Sequence, residues 1–210
     1  MSPPKILRTL FSHDEKVRKN YPVTCGIDEA GRGPLAGPVV AAAVILPARL
    51  VIEDLRDSKQ IPENRRIRLF WDIVISCPDI GIGIVDENTI DRTNILKATK
   101  LAMQMAVKDL SRKPDMLLID AVSLPELNIS QKPIIKGESV SASIAAASIV
   151  AKTVRDHIMT AYHEEYPVYN FKGHKGYPTK EHVELIRLHG PCPIHRKSFR
   201  KVMGMELPFK

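Results

Sequence analysis

The stretch Gly26-Ile-Asp28-Glu29-Ala-Gly31-Arg32-Gly33-Pro34 constrains this chain more than any other. Val23–Asp28 is a short apolar run and reads as a buried strand. It ends on two adjacent carboxylates. In a regular strand Asp28 and Glu29 point to opposite faces, so for both to serve one site the strand has to break there. Gly31, Gly33 and Pro34 supply the break. A carboxylate on a buried strand is costly unless it is paired or bound to a cation. The same residues can also be read without chemistry, as a turn-capping Asp followed by a solvated Glu. Gly31-Arg-Gly33-Pro-Leu-Ala36 formally fits a dinucleotide-binding fingerprint, but that motif needs a helix next. Here Pro38 is followed by Val39-Val40 and an Ala/Val/Ile run, which reads as a strand. The phosphate-cradling Walker pattern fails too, since Arg32 stands where Lys-Ser/Thr is required.

Val39–Leu46 and the alternating Ile80–Val85 add two strands, and Met116–Ile119 a fourth that ends at Asp120. A brief fifth strand is expected at Ile134-Ile135. Pro62 sits where a first helical residue belongs, with Ile67, Phe70, Trp71 and Val74 as the apolar face that follows. A second helix is expected from Asp91 or Thr93, with Leu96, Met103, Val107 and Leu110 facing the core. The longest runs from Ser141 to about Glu165, and another lies near Thr179–Leu188. Three strands in near succession, then helices alternating with strands, imply an α/β fold with a mixed sheet.

Ligands gather at strand ends in open α/β sheets, so Asp28 and Asp120 come within reach of one another if their strands are neighbours. Close carboxylates repel, and a shared proton or a bound metal resolves the repulsion. On the long helix a polar line runs through Ser141, Ser148, Lys152 and Asp156. Residues four apart share a face, so Lys152 and Asp156 can form an ion pair. Alternatively Asp156 joins the other acids, while Lys152 and Ser148 face a phosphate backbone. Acids without a His/Cys ligand set select Mg²⁺ or Mn²⁺ over zinc. Two such ions ~3.5–4 Å apart promote phosphodiester hydrolysis. No HExxH or GxSxG pattern offers a rival chemistry.

The 210 residues favour one domain with a modest extension. Their net charge of +7 is unevenly spread. Lys172–Lys201 holds eight basic residues against two Glu, and residues 1–20 hold five against two, while 21–171 is slightly acidic. Such asymmetry points weakly to nucleic acid, with a solvated surface as the plain alternative. No apolar run is long enough for a membrane span, and Met1–Asn20 has scattered charges and no apolar run of the length a secretory signal needs. Cys25, Cys77 and Cys192 are odd in number and far apart, which excludes a disulfide framework and a CxxC zinc module. A cytoplasmic protein, monomeric and without a membrane partner, is the expectation.

Gly26-Ile-Asp-Glu-Ala-Gly-Arg-Gly-Pro-Leu-Ala-Gly-Pro-Val39 resembles the signature of bacterial ribonuclease HII. The likeness continues in order through Asp57-Ser-Lys59, Asn94-Ile-Leu, Leu118-Ile-Asp120 and Ile144-Ala-Ala-Ala-Ser-Ile-Val-Ala-Lys-Thr-Val-Arg-Asp156. It extends to His174-Lys-Gly-Tyr-Pro-Thr and His195-Arg-Lys-Ser-Phe199, covering about residues 22–200. The resemblance implies a ribonuclease H-like mixed sheet flanked by helices, with a helical C-terminal extension. The core would span about residues 20–165 of a single domain, and a basic substrate-binding extension about 166–210. It implies endonucleolytic, metal-dependent cutting of RNA in RNA–DNA hybrids and of single ribonucleotides embedded in duplex DNA, leaving 3′-OH and 5′-phosphate ends.

By motif position the resemblance assigns catalysis and Mg²⁺ or Mn²⁺ binding (two ions with substrate) to Asp28, Glu29, Asp120 and Asp156. Gly31, Arg32, Gly33 and Tyr177 would read the 2′-hydroxyl, the group that separates RNA from DNA. Lys59, Lys152 and Ser148 would contact the substrate backbone. Three departures from the family pattern are Glu138 where Asp is usual, Ala121 and Pro178 where Gly is common. A sliding-clamp contact through Met205-Glu-Leu-Pro-Phe209 has only those five residues behind it. The competing functions are a non-catalytic nucleic-acid-binding protein and a DNA-only nuclease, resolvase- or recombinase-like, on the same fold.

Overall fold

Every residue of Val39–Val44 is buried, so this strand (β2) must be covered on both faces. The computed structural model, which describes residues 5–55, 58 and 61–204 and side chains from residue 9 onward, shows how. Strand β1 (Thr24–Ala30) pairs antiparallel with β2, and β2 pairs antiparallel with β3 (Ile80–Val85). On its other edge β1 pairs parallel with β4 (Met116–Asp120), which pairs parallel with β5 (Ser130–Ile134). The sheet order is β3-β2-β1-β4-β5, the mixed arrangement the sequence predicts. Ala41 and Ala43 of β2 face one core with helix α4 (Ile95–Lys108), and Ala42 and Val44 face the other with helix α5 (Ala142–Glu165).

Small residues set the spacing of these layers. A Cβ on Gly26 would lie 2.1 Å from the main-chain carbon of Ser143, and one on Gly83 would lie 1.9 Å from the Ala102 carbonyl oxygen. The alternation of Ile80–Val85 therefore places glycine, not isoleucine, toward the helix: Gly81 and Gly83 meet the backbone of α4, whereas Ile84 is exposed. The buried face of α4 accordingly runs through Ala98, Ala102 and Ala106 with Met103 and Val107, and the predicted Leu96 faces outward.

Several elements differ from expectation for identifiable reasons. Helix α2 (Glu63–Ser76) buries Arg66, Leu69 and Ile73, leaving Trp71 and Val74 exposed, because Arg66 turns inward to an acid on α5. The helix expected from Asp91 or Thr93 is two helices, α3 (Glu87–Arg92) and α4, separated at Thr93 and restarted by the Asn94 side chain accepting from the Lys97 amide. Strand β5 starts four residues earlier than Ile134, since its pairing with β4 is a backbone matter and its exposed sequence carries no apolar pattern. An N-terminal helix, α1 (Lys5–Arg18), has no counterpart in the sequence reading. Its buried Asp14 accepts from the backbone N–H and hydroxyl of Ser143, capping α5 from outside.

Beyond α5 come a short α6 (Phe171–His174) and α7 (Lys180–His189), the latter capped by Thr179 as its sequence position suggests. They pack a separate core of Tyr169, Phe171, Cys192 and Ile194 against Ala36 and Met159. Into this core go three histidines, His174, His182 and His195, none more than 8% exposed. Among the described residues no helix is long and apolar enough to cross a membrane.

Two outcomes follow. Gly26→Ala is expected to cost on the order of 3 kcal/mol, because neither helix nor strand backbone can yield to a methyl group, and urea unfolding measures it. Burial also holds His182 down at about 4 and His195 at about 3, so both stay neutral in the folded chain while the unfolded chain takes up protons below about 6.5. Their contribution is complete above that value and is lost as the pH falls toward 4. Amide exchange, corrected for intrinsic rate, should show residues 171–195 losing protection between pH 7 and 5 ahead of α4.

Candidate active site

In the parallel pairing of β1 with β4, Ile27 lies opposite Ile119, so the next residues of each strand, Asp28 and Asp120, emerge together. Glu29 joins them: one carboxylate oxygen from each of Asp28, Glu29 and Asp120 lies within 4.8 Å of the others. The strand does not break between the two acids, as the sequence suggested; β1 continues to Ala30 and turns only at Gly31 (φ 103°). Two features replace the break. The Asp28 carboxylate folds forward to accept from the Glu29 amide at 2.7 Å, and β4 stops at Asp120, so side chains from both faces meet around its end.

Asp28 is buried, and burial, reinforced by the charges of Glu29 and Asp120, pushes its carboxyl well above the usual range, against a hydrogen bond from Ser148 that favours the ionised form. Ser148 is itself bonded to Ser58 at 2.9 Å. Asp120 accepts from the Gly137 amide at 2.8 Å, which holds the turn containing Glu138 beside the cluster. An all-oxygen set of crowded carboxylates fits a hard divalent cation, whose charge would relieve the repulsion.

Asp156 is not brought into this group. Its carboxylate accepts from Lys152 at 2.6 Å and from the buried Arg66 at 2.9 Å, which is the ion-pair arrangement. Ser148, which lines the groove with Glu29 and Asp120, lies eight residues earlier on α5, about 12 Å along the axis. Lys59 falls outside the described residues, as do Asp57 and Met205–Phe209.

A groove of about 380 Å³ opens over the cluster. Its lining unites Glu29, Asp120, Gly31, Arg32, Gly33, Ser148, Lys152 and Tyr177 with Ala30 and Ser58. Arg32, largely exposed, leans back on Glu29 at 3.3 Å. Tyr177 is 37% exposed, with the Lys152 ammonium 5.4 Å and the Arg155 guanidinium 5.8 Å from the centre of its ring. Gly31 has no room for a side chain, since a Cβ would lie 2.3 Å from Arg155 Nε, whereas at Gly33 the nearest atom, on Tyr177, would be 3.8 Å away.

Residues the sequence reading passed over hold this groove in shape. Arg196 donates to the carbonyls of Gly31, Arg32, Pro34, Gly37 and Pro38, and Arg155 to those of Ala36, Pro38 and Lys175. Both are fully buried, and burial lowers Arg196 to about 9 and Arg155 to about 10. Nothing local in the sequence marks either arginine as buried.

A family profile described as Ribonuclease HII matches residues 25–202. A ribonuclease HII of Acetivibrio thermocellus is 55% identical over 94% of this chain and 77% of its own length. One from Caldicellulosiruptor saccharolyticus is 51% identical over 88% and 90%, respectively. Among solved structures, the ribonuclease H2 of Pyrococcus horikoshii superposes with a TM-score of 0.72 at 26% identity, covering 87% of this chain and 96% of that one.

The crowding at Asp28 has a measurable consequence. Asp28→Asn should raise the melting temperature of the metal-free protein by ~2–4 °C, the shift that about 1 kcal/mol produces at this size. The same variant should lose the stabilisation that added Mg²⁺ or Mn²⁺ confers on the parent chain, as thermal melts with and without the ions would show.

Proposed function

Because this chain belongs to the ribonuclease HII family, we propose that the groove over Asp28, Glu29 and Asp120 is where it cuts the RNA strand of RNA–DNA hybrids, and duplex DNA at a single embedded ribonucleotide. The observation that carries this reading is the convergence of three carboxylates, one oxygen of each within 4.8 Å of the others, beneath a groove whose rim is the Gly31-Arg32-Gly33 turn and Tyr177. Carboxylates facing phosphate only weaken binding unless they hold cations, so a purely binding role leaves them unexplained. A divalent cation held by Asp28, Glu29 and Asp120, with Mg²⁺ and Mn²⁺ the ions that suit the donors, supplies positive charge against the charge developing on the phosphodiester.

The chain's own residues do the rest. The Glu29 amide fixes the orientation of Asp28, and the Gly137 amide fixes Asp120. The Gly31–Gly33 turn lets main chain approach a ribose closely, and Tyr177 offers a face against which that sugar packs. Lys152 and Arg32 line the groove as cationic groups for backbone phosphates. Asp156, tied to Lys152 and Arg66, holds that lysine at the groove, and Glu138 is the acid whose turn is anchored on Asp120.

The test is an assay with Mg²⁺ or Mn²⁺ on a DNA duplex carrying one ribonucleotide, beside an all-DNA control. Cutting is expected at the ribonucleotide alone; cutting of both duplexes, or binding without cutting, overturns the proposal. Asp120→Asn should abolish cleavage with duplex affinity largely kept. Asp156→Asn should retain measurable cutting, and Tyr177→Ala should lose ribonucleotide discrimination more than binding.

A further inference from the structure

The three buried histidines of the C-terminal core are hydrogen-bonded in only one sense. The Cys192 amide points at Nδ1 of His195 at 2.9 Å, so that nitrogen accepts and the imidazole proton sits on Nε2. Nε2 of His195 lies 3.0 Å from Nε2 of His182, which therefore accepts in turn. His182 is left with its proton on Nδ1, and Nδ1 is 3.0 Å from the carbonyl oxygen of Tyr177. The third ring, His174, stacks on His182 with centroids 4.2 Å apart. Its Nδ1 accepts from the Gly176 amide at 3.1 Å and its Nε2 donates to the Tyr169 carbonyl at 2.6 Å. Starting from one main-chain amide, each proton position forces the next, and the chain ends on the backbone of the tyrosine that lines the groove.

We propose that His195 and His182 are positioning residues, a proton-ordered pair of imidazoles that holds Tyr177 in register with the Gly31–Gly33 turn and so sets discrimination for a ribose. The proposal rests on the reading of Tyr177 given above. Apolar side chains would fill this core without desolvating three imidazoles, and they would not terminate in a donor aimed at Tyr177. His182 adds a side-chain donor to a backbone already tied at both ends: the Tyr177 amide donates to the His174 carbonyl, its carbonyl accepts from the Thr179 amide at 2.8 Å, and the preceding Gly176 accepts from the Leu35 amide at 2.7 Å. The loop of Tyr177 is thus docked on the loop of the Gly31–Gly33 turn. A Cβ on Gly176 would meet the Ala36 carbonyl at 2.7 Å, so the two loops touch without slack.

Two measurements on the whole 210-residue chain test this. ¹⁵N spectra of histidine-labelled protein at neutral pH should show His182 protonated on Nδ1 and His195 on Nε2; the same tautomer at both, or averaging between tautomers, overturns the relay. The second compares two variants. His182→Asn keeps an amide donor near the Nδ1 position, whereas His182→Gln moves it to the Nε2 position. The Gln variant should lose roughly three- to tenfold in kcat/KM on the single-ribonucleotide duplex, the loss of one neutral hydrogen bond, and Asn should recover most of it. Equal losses in both, or losses that follow their melting temperatures, would mean that the histidines only pack. If Tyr177→Ala leaves discrimination intact, the role assigned to the tyrosine fails, and the tautomer spectra still decide the relay independently.

Discussion

Two buried guanidinium groups hold together the parts of this protein that no regular element joins. Gly31–Pro38 leaves β1 and reaches β2 as irregular chain, and the carbonyls of such a segment, once buried, each need a donor. Arg196 and Arg155 provide those donors in the fixed fork that only arginine offers. Among the described residues neither forms an ion pair with a carboxylate. Their charges are instead spread over main-chain dipoles, with Glu87 and Asp91 favouring the charged form of Arg196 and Tyr177 and Asp156 that of Arg155. Arg155 comes from α5 and Arg196 from the C-terminal segment, so the loop at the mouth of the groove is clamped from both sides.

That clamp gives the acidic cluster its surroundings. Asp28 and Asp120 are delivered by strand pairing alone, but a cluster at a sheet end would be an open patch without walls. The Gly31–Gly33 turn, the Tyr177 loop and the first half of α5 form those walls, and each touches one of the two arginines or its neighbours. The uneven charge of the chain follows the same plan. Slightly acidic middle residues contribute the carboxylates, and the basic stretch from Lys172 to Lys201 surrounds Tyr177. Attraction for a polyanion and the need for a cation are therefore placed side by side.

Local rules carried the sequence reading a long way where a residue's role depends on its near neighbours. Ser141 and Thr179 cap the helices they precede, Pro62 precedes α2, and the apolar runs of β1, β2 and β4 are strands. Local rules do not reach a face that depends on what packs against it. On α2 the inward stripe includes Arg66 because Asp156 waits for it, which no hydropathy pattern reveals. In β3 the alternation marks a strand but leaves its covered side open, and it is Gly81 and Gly83 that a helix backbone touches. Helix α1 earns its place through a cap to a residue far along the chain.

By itself, then, the order of residues determined the mixed sheet, the two strands that carry Asp28 and Asp120, and the family signature, since these rest on periodicity, turn residues and contiguous motifs. Tertiary structure alone decided which acids meet. It kept Asp28, Glu29 and Asp120 within one cation's reach and gave Asp156 to Lys152 and Arg66 instead. It also decided that two arginines and three histidines would be buried, with their donors spent on the loops that shape the groove. The physical reason is distance. Periodicity acts over a few residues, whereas the partners of a buried charge or a buried imidazole are set by which backbone groups the whole fold leaves unpaired nearby.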